Sequence, residues 1–180
     1  MLAQEAAWQV GLAEVLLVPV AEPPHRRLDP EPGAEVRLDL VRAAAADDPL
    51  LTASQIEVER GGPSFTFRTL ELLRERRPDD ELVFLMGADA AAALSDWRSP
   101  ERVVELARLA VAARPGVALA EAEAALDRVG AGERVEWIRM PEIGISSSAI
   151  RQRIAAGRPI RHLVPQRVAA LIDERGVYRS

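Results

Sequence analysis

The sequence has no cysteine in its 180 residues, which excludes a disulfide framework, a thiolate nucleophile and a cysteine-ligated metal site. It has no lysine either: all 23 cationic side chains are arginine, a bias that by itself carries no functional weight. No apolar run reaches the ~18 residues that a membrane-spanning helix needs. The first residues also lack the basic stretch followed by an apolar one that marks a secretory leader. The expectation is therefore a cytoplasmic protein with no membrane partner. What is present is a globular composition, 48% hydrophobic and 28% charged, with a formal net charge of -5. A chain of this length fits one domain, here residues 1–180, with a core of its own.

Short apolar runs alternate with helical periodicity from end to end. The spacing predicts helices over 1–10, 35–46, 65–77, 100–107, 121–129, 147–156 and 165–175. Gly11 is placed to stop the first of these. In the second, Val36, Leu40 and Ala43 or Ala44 share one face. Strands are expected at 14–20 ("EVLLVPV"), 82–86, 109–113 and 134–140, and at 54–60, where "SQIEVER" alternates with a period of two before Gly61-Gly62-Pro63. Residues 21–33, with four prolines and a glycine, read as a surface loop. Alternation of this kind implies an α/β fold: a Rossmann-like, doubly wound parallel sheet with helices on both faces. There is no internal repeat.

Ligands in such sheets bind beyond the carboxyl ends of the strands. Three motifs fall there: "GAD" at 87–89, "RPG" at 114–116 and "ISSS" at 145–148. From Ile143 to Ile172 the chain has no Asp or Glu, but five arginines and a histidine. Ser146 or Ser147 is suited to cap a helix that turns Ala149, Ile150 and Ile154 inward. Serine hydroxyls, free backbone N–H groups and the positive helix end make an anion site. Arg151, one turn in, could reach a phosphate with a forked pair of bonds. Two other readings stay open: a plain helix cap beside solvated arginines, and a DNA-binding helix-turn-helix over 146–172. The first leaves no nucleic-acid partner, which also suits the acidic composition. Trp8 and Trp137 read as packing residues, and His162 as structural.

Taken in order, "PPHR" (23–26), "GGPSFTFRTL" (61–70), "GAD", Trp97, "RPG", "ISSSAIRQRI" (145–154), "LVP" (163–165) and "GVY" (176–178) resemble the nicotinate-nucleotide adenylyltransferases over nearly the whole chain. "ISSSAIR" alone marks the wider nucleotidyltransferase superfamily. The serine-aromatic-threonine segment, Trp97 and "RPG" single out the nicotinate enzymes. The resemblance implies transfer of the adenylyl group of ATP to nicotinate mononucleotide, giving nicotinate adenine dinucleotide and pyrophosphate in NAD biosynthesis. It implies an ATP side made by Gly87, Asp89, Ile145, Ser146, Ser147, Ser148 and Arg151. The mononucleotide side would hold the backbone and hydroxyl around Thr66 for the nicotinate carboxylate, Ser64, Trp97 for stacking, Arg114, and His25 and Arg26 near the phosphate. Mg²⁺ is expected on the ATP phosphates, held by phosphate oxygens and waters rather than by a protein metal site.

The sequence departs from that family at its start. Family members open with a strand, a Gly-rich turn and an H-x-G-H pair; here residues 1–7 read like the helix just after the second histidine. The expectation is a nucleotidyltransferase-type fold with the first strand missing, through an internal methionine taken as a start or a truncation. No catalytic residue is then assigned in this chain, and its own turnover is expected to be low. Alternatives are a related adenylyltransferase for nicotinamide mononucleotide or pantetheine phosphate, and a non-catalytic nucleotide-binding module.

Overall fold

In the computed structural model, the described residues are 1–23, 32–113, 119–141 and 143–179. In chain order the elements are α1 (Leu2–Val10), β1 (Val15–Leu17), α2 (Ala34–Ala45), β2 (Leu51–Ala53), α3 (Ile56–Arg60), α4 (Thr66–Arg76), β3 (Val83–Gly87), α5 (Ala88–Ala92), α6 (Pro100–Leu106), β4 (Arg108–Ala113), α7 (Leu119–Arg128), β5 (Val135–Arg139), α8 (Ser147–Ala155) and α9 (Gln166–Arg175). The chain divides into two compact units, Met1–Ala13 with Phe65–Glu142, and Glu14–Ser64 with Ile143–Ser180.

The first unit is built on β3, β4 and β5, in that order and all parallel, with Val83 opposite Arg108 and Leu109 opposite Val135. Period-two alternation sends neighbouring side chains to opposite faces. On one face Val83, Leu85, Ala110 and Ile138 meet Ala6 and Val10 of α1. On the other, Phe84, Met86, Leu109, Val111 and Trp137 meet Phe67 and Leu70 of α4, Ala88 of α5, Val103 of α6 and Leu126 of α7. Helices thus cover both faces, as parallel strands require. The Gln9 side chain exchanges two hydrogen bonds with the Arg139 backbone, at 2.9 and 3.0 Å, fastening α1 to the end of β5. Gly11 ends α1 in the left-handed region (φ 78), as its position predicts.

The second unit holds the parallel pair β1–β2, with Val15 opposite Leu51 and α2 as the crossover. Its apolar cluster is Ile154, Ile160 and Ile172, flanked by Leu40, Ile150, Val164, Val168 and Tyr178. The Asp39 carboxylate pairs with Arg175 of α9 at 2.7 Å, which joins α2 to α9. Arg37 donates to the Val20 and Ala21 carbonyls at 2.6 and 2.7 Å, holding the chain where it leaves β1.

Three sequence expectations need correction. Residues 54–60 are not a strand. The strand is Leu51–Ala53, and Ile56–Arg60 is a short helix that buries the adjacent pair Ile56 and Glu57. Seven residues are too few for a two-residue period to exclude a helix. Two consecutive glycines with positive φ, Gly61 (67°, with ψ 176°) and Gly62 (67°), end it, and residues with a Cβ avoid that first conformation. The buried face of α2 is carried by Leu38 and Ala45 rather than by Val36 and Ala43 or Ala44. Trp8 does not pack: it is 82% exposed on α1. Trp137, by contrast, packs against the large cluster as expected. Among the described residues no helix is long and apolar enough to cross a membrane.

Candidate active site

In the first unit Gly87 and Asp89 stand at the carboxyl end of β3, Thr66 opens α4 and Trp97 packs against Phe84 of β3. Gly87 closes the strand and caps α5 with φ -81 and ψ 159, a conformation open to any residue. A Cβ built there would meet no atom within 4 Å. Neither backbone strain nor protein packing demands glycine at this point, so the space stands open to an approaching ligand. Asp89 is exposed in the first turn of α5. Thr66 is the first residue of α4, whose N-cap is Phe65, with no side chain capping the free amides. Trp97 is half-buried after a 3-10 turn, its N–H bonded to the Leu94 carbonyl at 3.0 Å. Its ring stands edge-on to Phe84 of β3, centroids 6.1 Å apart at 71°, the arrangement that an aromatic quadrupole favours.

In the second unit the serine motif builds an N-terminus. Ser146, with extended backbone, is the cap of α8: its Oγ accepts from the Ala149 amide at 3.1 Å. Ser147 and Ser148 are exposed, and Ser148 Oγ accepts from Arg151 Nη2 at 3.3 Å. Ile154 and Ile150 turn inward as expected, whereas Ala149 is exposed. Ile143 and Ile145, on either side of Gly144, are 40% and 47% exposed. An exposed Ile forgoes part of the ~1.5–3 kcal/mol that burial supplies, so an apolar ring laid against it gains in binding.

The acid-free window is acid-free in sequence more than in space. Arg167 pairs with Asp47 of the same unit at 3.0 Å, and Arg153 donates twice to the Pro159 carbonyl, at 3.1 and 2.8 Å. Arg151, on α8 itself and held by one serine, is placed to serve the exposed N-terminus of α8. Ser64 has a structural bond of its own: Ala21 N–H donates to its Oγ at 3.0 Å, and its own N–H donates to the Glu22 carbonyl at 2.9 Å. His25, Arg26 and Arg114 lie outside the described residues. His162 is exposed, with φ 69. Residues that sequence reasoning missed are Phe84, Phe65 and Arg98, whose guanidinium lies 4.9 Å from the Phe65 ring centroid. The available signal was the pair of aromatics flanking Thr66 and the cation directly after Trp97.

Tyr178 gives a built-in reporter for Arg151. Burial raises its phenol above the ordinary tyrosine range, while the Arg151 and Arg37 charges pull it partly back. Deprotonation then costs more folded than unfolded, so stability is full below the ordinary phenol value and falls as pH rises through the raised one. Because the chain has one tyrosine, the phenolate absorbance follows this group alone. An alkaline titration of Arg151→Ala should show a midpoint higher than wild type, since one of the two lowering charges is gone. A lower midpoint would show that Arg151 does not act on the phenol.

The family model described as cytidylyltransferase-like matches residues 1–153. A Thermus thermophilus protein named "Probable nicotinate-nucleotide adenylyltransferase" is 40% identical over 177 residues, 98% of this chain and 89% of its own. One of the same name from Roseiflexus is 40% identical over 183 residues, 99% of this chain and 89% of its own. Among solved structures, Plasmodium falciparum nicotinic acid mononucleotide adenylyltransferase complexed with APC gives a TM-score of 0.74 at 14% identity, covering 99% of this chain and 88% of that one. The same enzyme complexed with NaAD gives 0.73 at 15% identity, covering 98% and 90%. At those identities the structures speak for the fold, which is that of the nucleotidyltransferases. With the family model over most of its length and 40% identity over nearly all of it, the chain belongs to the cytidylyltransferase-like family and, within it, to the nicotinate-nucleotide adenylyltransferases.

Proposed function

We propose that the protein transfers the adenylyl group of ATP to nicotinate mononucleotide, releasing pyrophosphate and forming nicotinate adenine dinucleotide, a step of NAD biosynthesis in the cytoplasm. The observation that carries this reading is the 40% identity, over 98% of the chain, to a relative named for that activity. The reaction is an in-line attack of the mononucleotide 5′-phosphate on the α-phosphorus of ATP. An ionised phosphate is already a nucleophile, so no general base is required. The protein's part is positioning and stabilisation of charge.

Each unit offers groups of the right kind. Trp97 supplies a flat face for the pyridine ring, with Thr66 and Ser64 for its carboxylate and Arg114, His25 and Arg26 for the mononucleotide. Gly87 leaves room for the ATP ribose and base, and Asp89 accepts hydrogen bonds from ribose hydroxyls. Ile145 lies against adenine, while Ser146–Ser148 and Arg151 take phosphate oxygens at the α8 N-terminus. Among the described residues no three His, Asp or Glu side chains converge as a metal site. Mg²⁺ suits this donor set when it rides on phosphate oxygens and waters, because it keeps several waters and needs few protein ligands. There it would neutralise charge on the triphosphate.

Pyrophosphate release measured with nicotinate mononucleotide, nicotinamide mononucleotide and pantetheine phosphate tests the reading. The first should give the highest kcat/KM. A preference for another acceptor would reassign the specificity. ATP binding without pyrophosphate release from any acceptor would leave a nucleotide-binding module.

A further inference from the structure

We propose that Arg98 sets acceptor preference, its guanidinium favouring a pyridine ring that carries a carboxylate over one that carries a neutral carboxamide. The inference rests on the adenylyl-transfer reading above and adds to it a residue that selects the acceptor.

Three observations place the charge. First, its backbone is clamped. Trp97 N–H is bonded to the Leu94 carbonyl at 3.0 Å on one side. On the other, Ser99 sits in the left-handed region (φ 53) and its carbonyl accepts from the Arg102 amide at 3.1 Å. A non-glycine residue held at positive φ is kept there only by surroundings that fix it, here a turn sealed by buried Pro100. Secondly, the guanidinium is aimed. It lies 4.9 Å from the centroid of Phe65, the residue before Thr66. Phe65 and Trp97 each pack, partly buried, against the same large cluster, which holds both the stacking ring and the seat of the cation in place.

Thirdly, the charge is unneutralised. Elsewhere in this unit arginines are held by carboxylates: Arg68 by Glu71, Arg102 by Glu71 and Glu105, Arg108 by Glu81 and Glu136. Arg74 and Arg134 donate to the Leu106 and Val104 carbonyls. Among the described residues Arg98 meets no carboxylate and no carbonyl, only the Phe65 ring. An aromatic face attracts a cation yet leaves its N–H groups free to donate. A ring stacked on Trp97 that bears a carboxylate would complete a charge-assisted pair, whereas a carboxamide offers no net charge. Discrimination between the two acceptors then follows from charge rather than from shape.

The test is direct binding of nicotinate and nicotinamide mononucleotides to the wild type, Arg98→Gln and Arg98→Lys, with ATP affinity as the check on folding. For Arg98→Gln, Kd for nicotinate mononucleotide should rise about tenfold, the scale of one charge-assisted hydrogen bond lost, with nicotinamide mononucleotide unchanged within about twofold. Arg98→Lys should keep much of the preference, and added salt should erode it in the wild type and in the Lys variant, not in the Gln variant. A wild type that discriminates while Arg98→Gln discriminates equally overturns the inference and leaves the acceptor reading intact. Equal weakening of both mononucleotides overturns it too, since that reports loss of support for Phe65. A wild type that does not prefer the nicotinate acceptor fells both readings together.

Discussion

Replacing Trp97 by alanine should weaken nicotinate mononucleotide binding by ~1–3 kcal/mol, about five- to a hundredfold in Kd, which is the scale of base stacking on an aromatic ring. Two effects are superposed at this residue and can be separated. The ring is half-buried, so part of it belongs to the core: it packs on the large cluster and meets Phe84 edge-on at 6.1 Å. That pair contributes about 0.5–1.5 kcal/mol beyond simple burial, and its loss should lower the melting temperature by a few degrees. The rest of the ring is available for stacking. Trp97→Phe keeps a flat face and most of the packing, so it should recover stability and a good part of the affinity. ATP affinity should hold in both variants, because Gly87, Asp89, the serine motif and Arg151 are all left unchanged. If Trp97→Ala melts earlier but binds the mononucleotide as tightly as wild type, the indole is a core residue and the acceptor side must be sought elsewhere.

Particular residues show why some of this was legible in the sequence and some was not. The helices around Leu70 and Val103 were visible from apolar residues at helical spacing, the strand through Leu109 as a short apolar run, and the strand through Ile138 from its β-branched and aromatic residues. The cap at Ser146 was visible for a different reason: a hydroxyl three residues before an amide is a local device, with both partners in one stretch of chain. "SQIEVER" failed because seven residues are too few to separate the two periods, and the burial of Ile56 beside Glu57 is decided by packing that lies outside the segment. Trp8 failed because composition alone makes tryptophan a packing residue, whereas its exposure depends on which face of α1 meets Ala110 and Ile138. Arg98 stayed hidden for a further reason. The sequence shows a cation after a tryptophan, but not that it rests on Phe65, 33 positions earlier in the chain. Pairings of that separation are set by the fold, and the same is true of Arg167 with Asp47, which narrowed the arginines of the acid-free window.

Arg151→Ala should weaken ATP binding about ten- to a hundredfold while adenosine binding changes little, because what is lost is one or two hydrogen bonds to a charged group, at ~1.5–3 kcal/mol. The geometry makes the prediction specific to this arginine. Arg153 is held by the Pro159 carbonyl and Arg167 by Asp47, whereas Arg151 has only Ser148 Oγ, at 3.3 Å, to leave. A contact that long and neutral is readily exchanged for phosphate oxygens, which accept charge-assisted bonds of about twice the strength. The serines beside it should act in the same direction with smaller effect, since Ser146 Oγ already serves the Ala149 amide. Arg151→Lys should fall between wild type and alanine, keeping the charge and losing the planar fork. Isothermal titration with ATP, ADP, AMP and adenosine would resolve the pattern: the penalty should shrink as phosphates are removed and vanish for the nucleoside. Raising the salt concentration should weaken ATP binding more in the wild type than in Arg151→Ala, because screening acts on the charge that the variant no longer has. The rise in the Tyr178 midpoint expected for the same variant reports that α8 is still in place. An equal loss for adenosine and ATP, with that midpoint shifted as expected, would mean that Arg151 supports the base rather than the phosphates, and the anion-site reading of the serine motif would have to be given up.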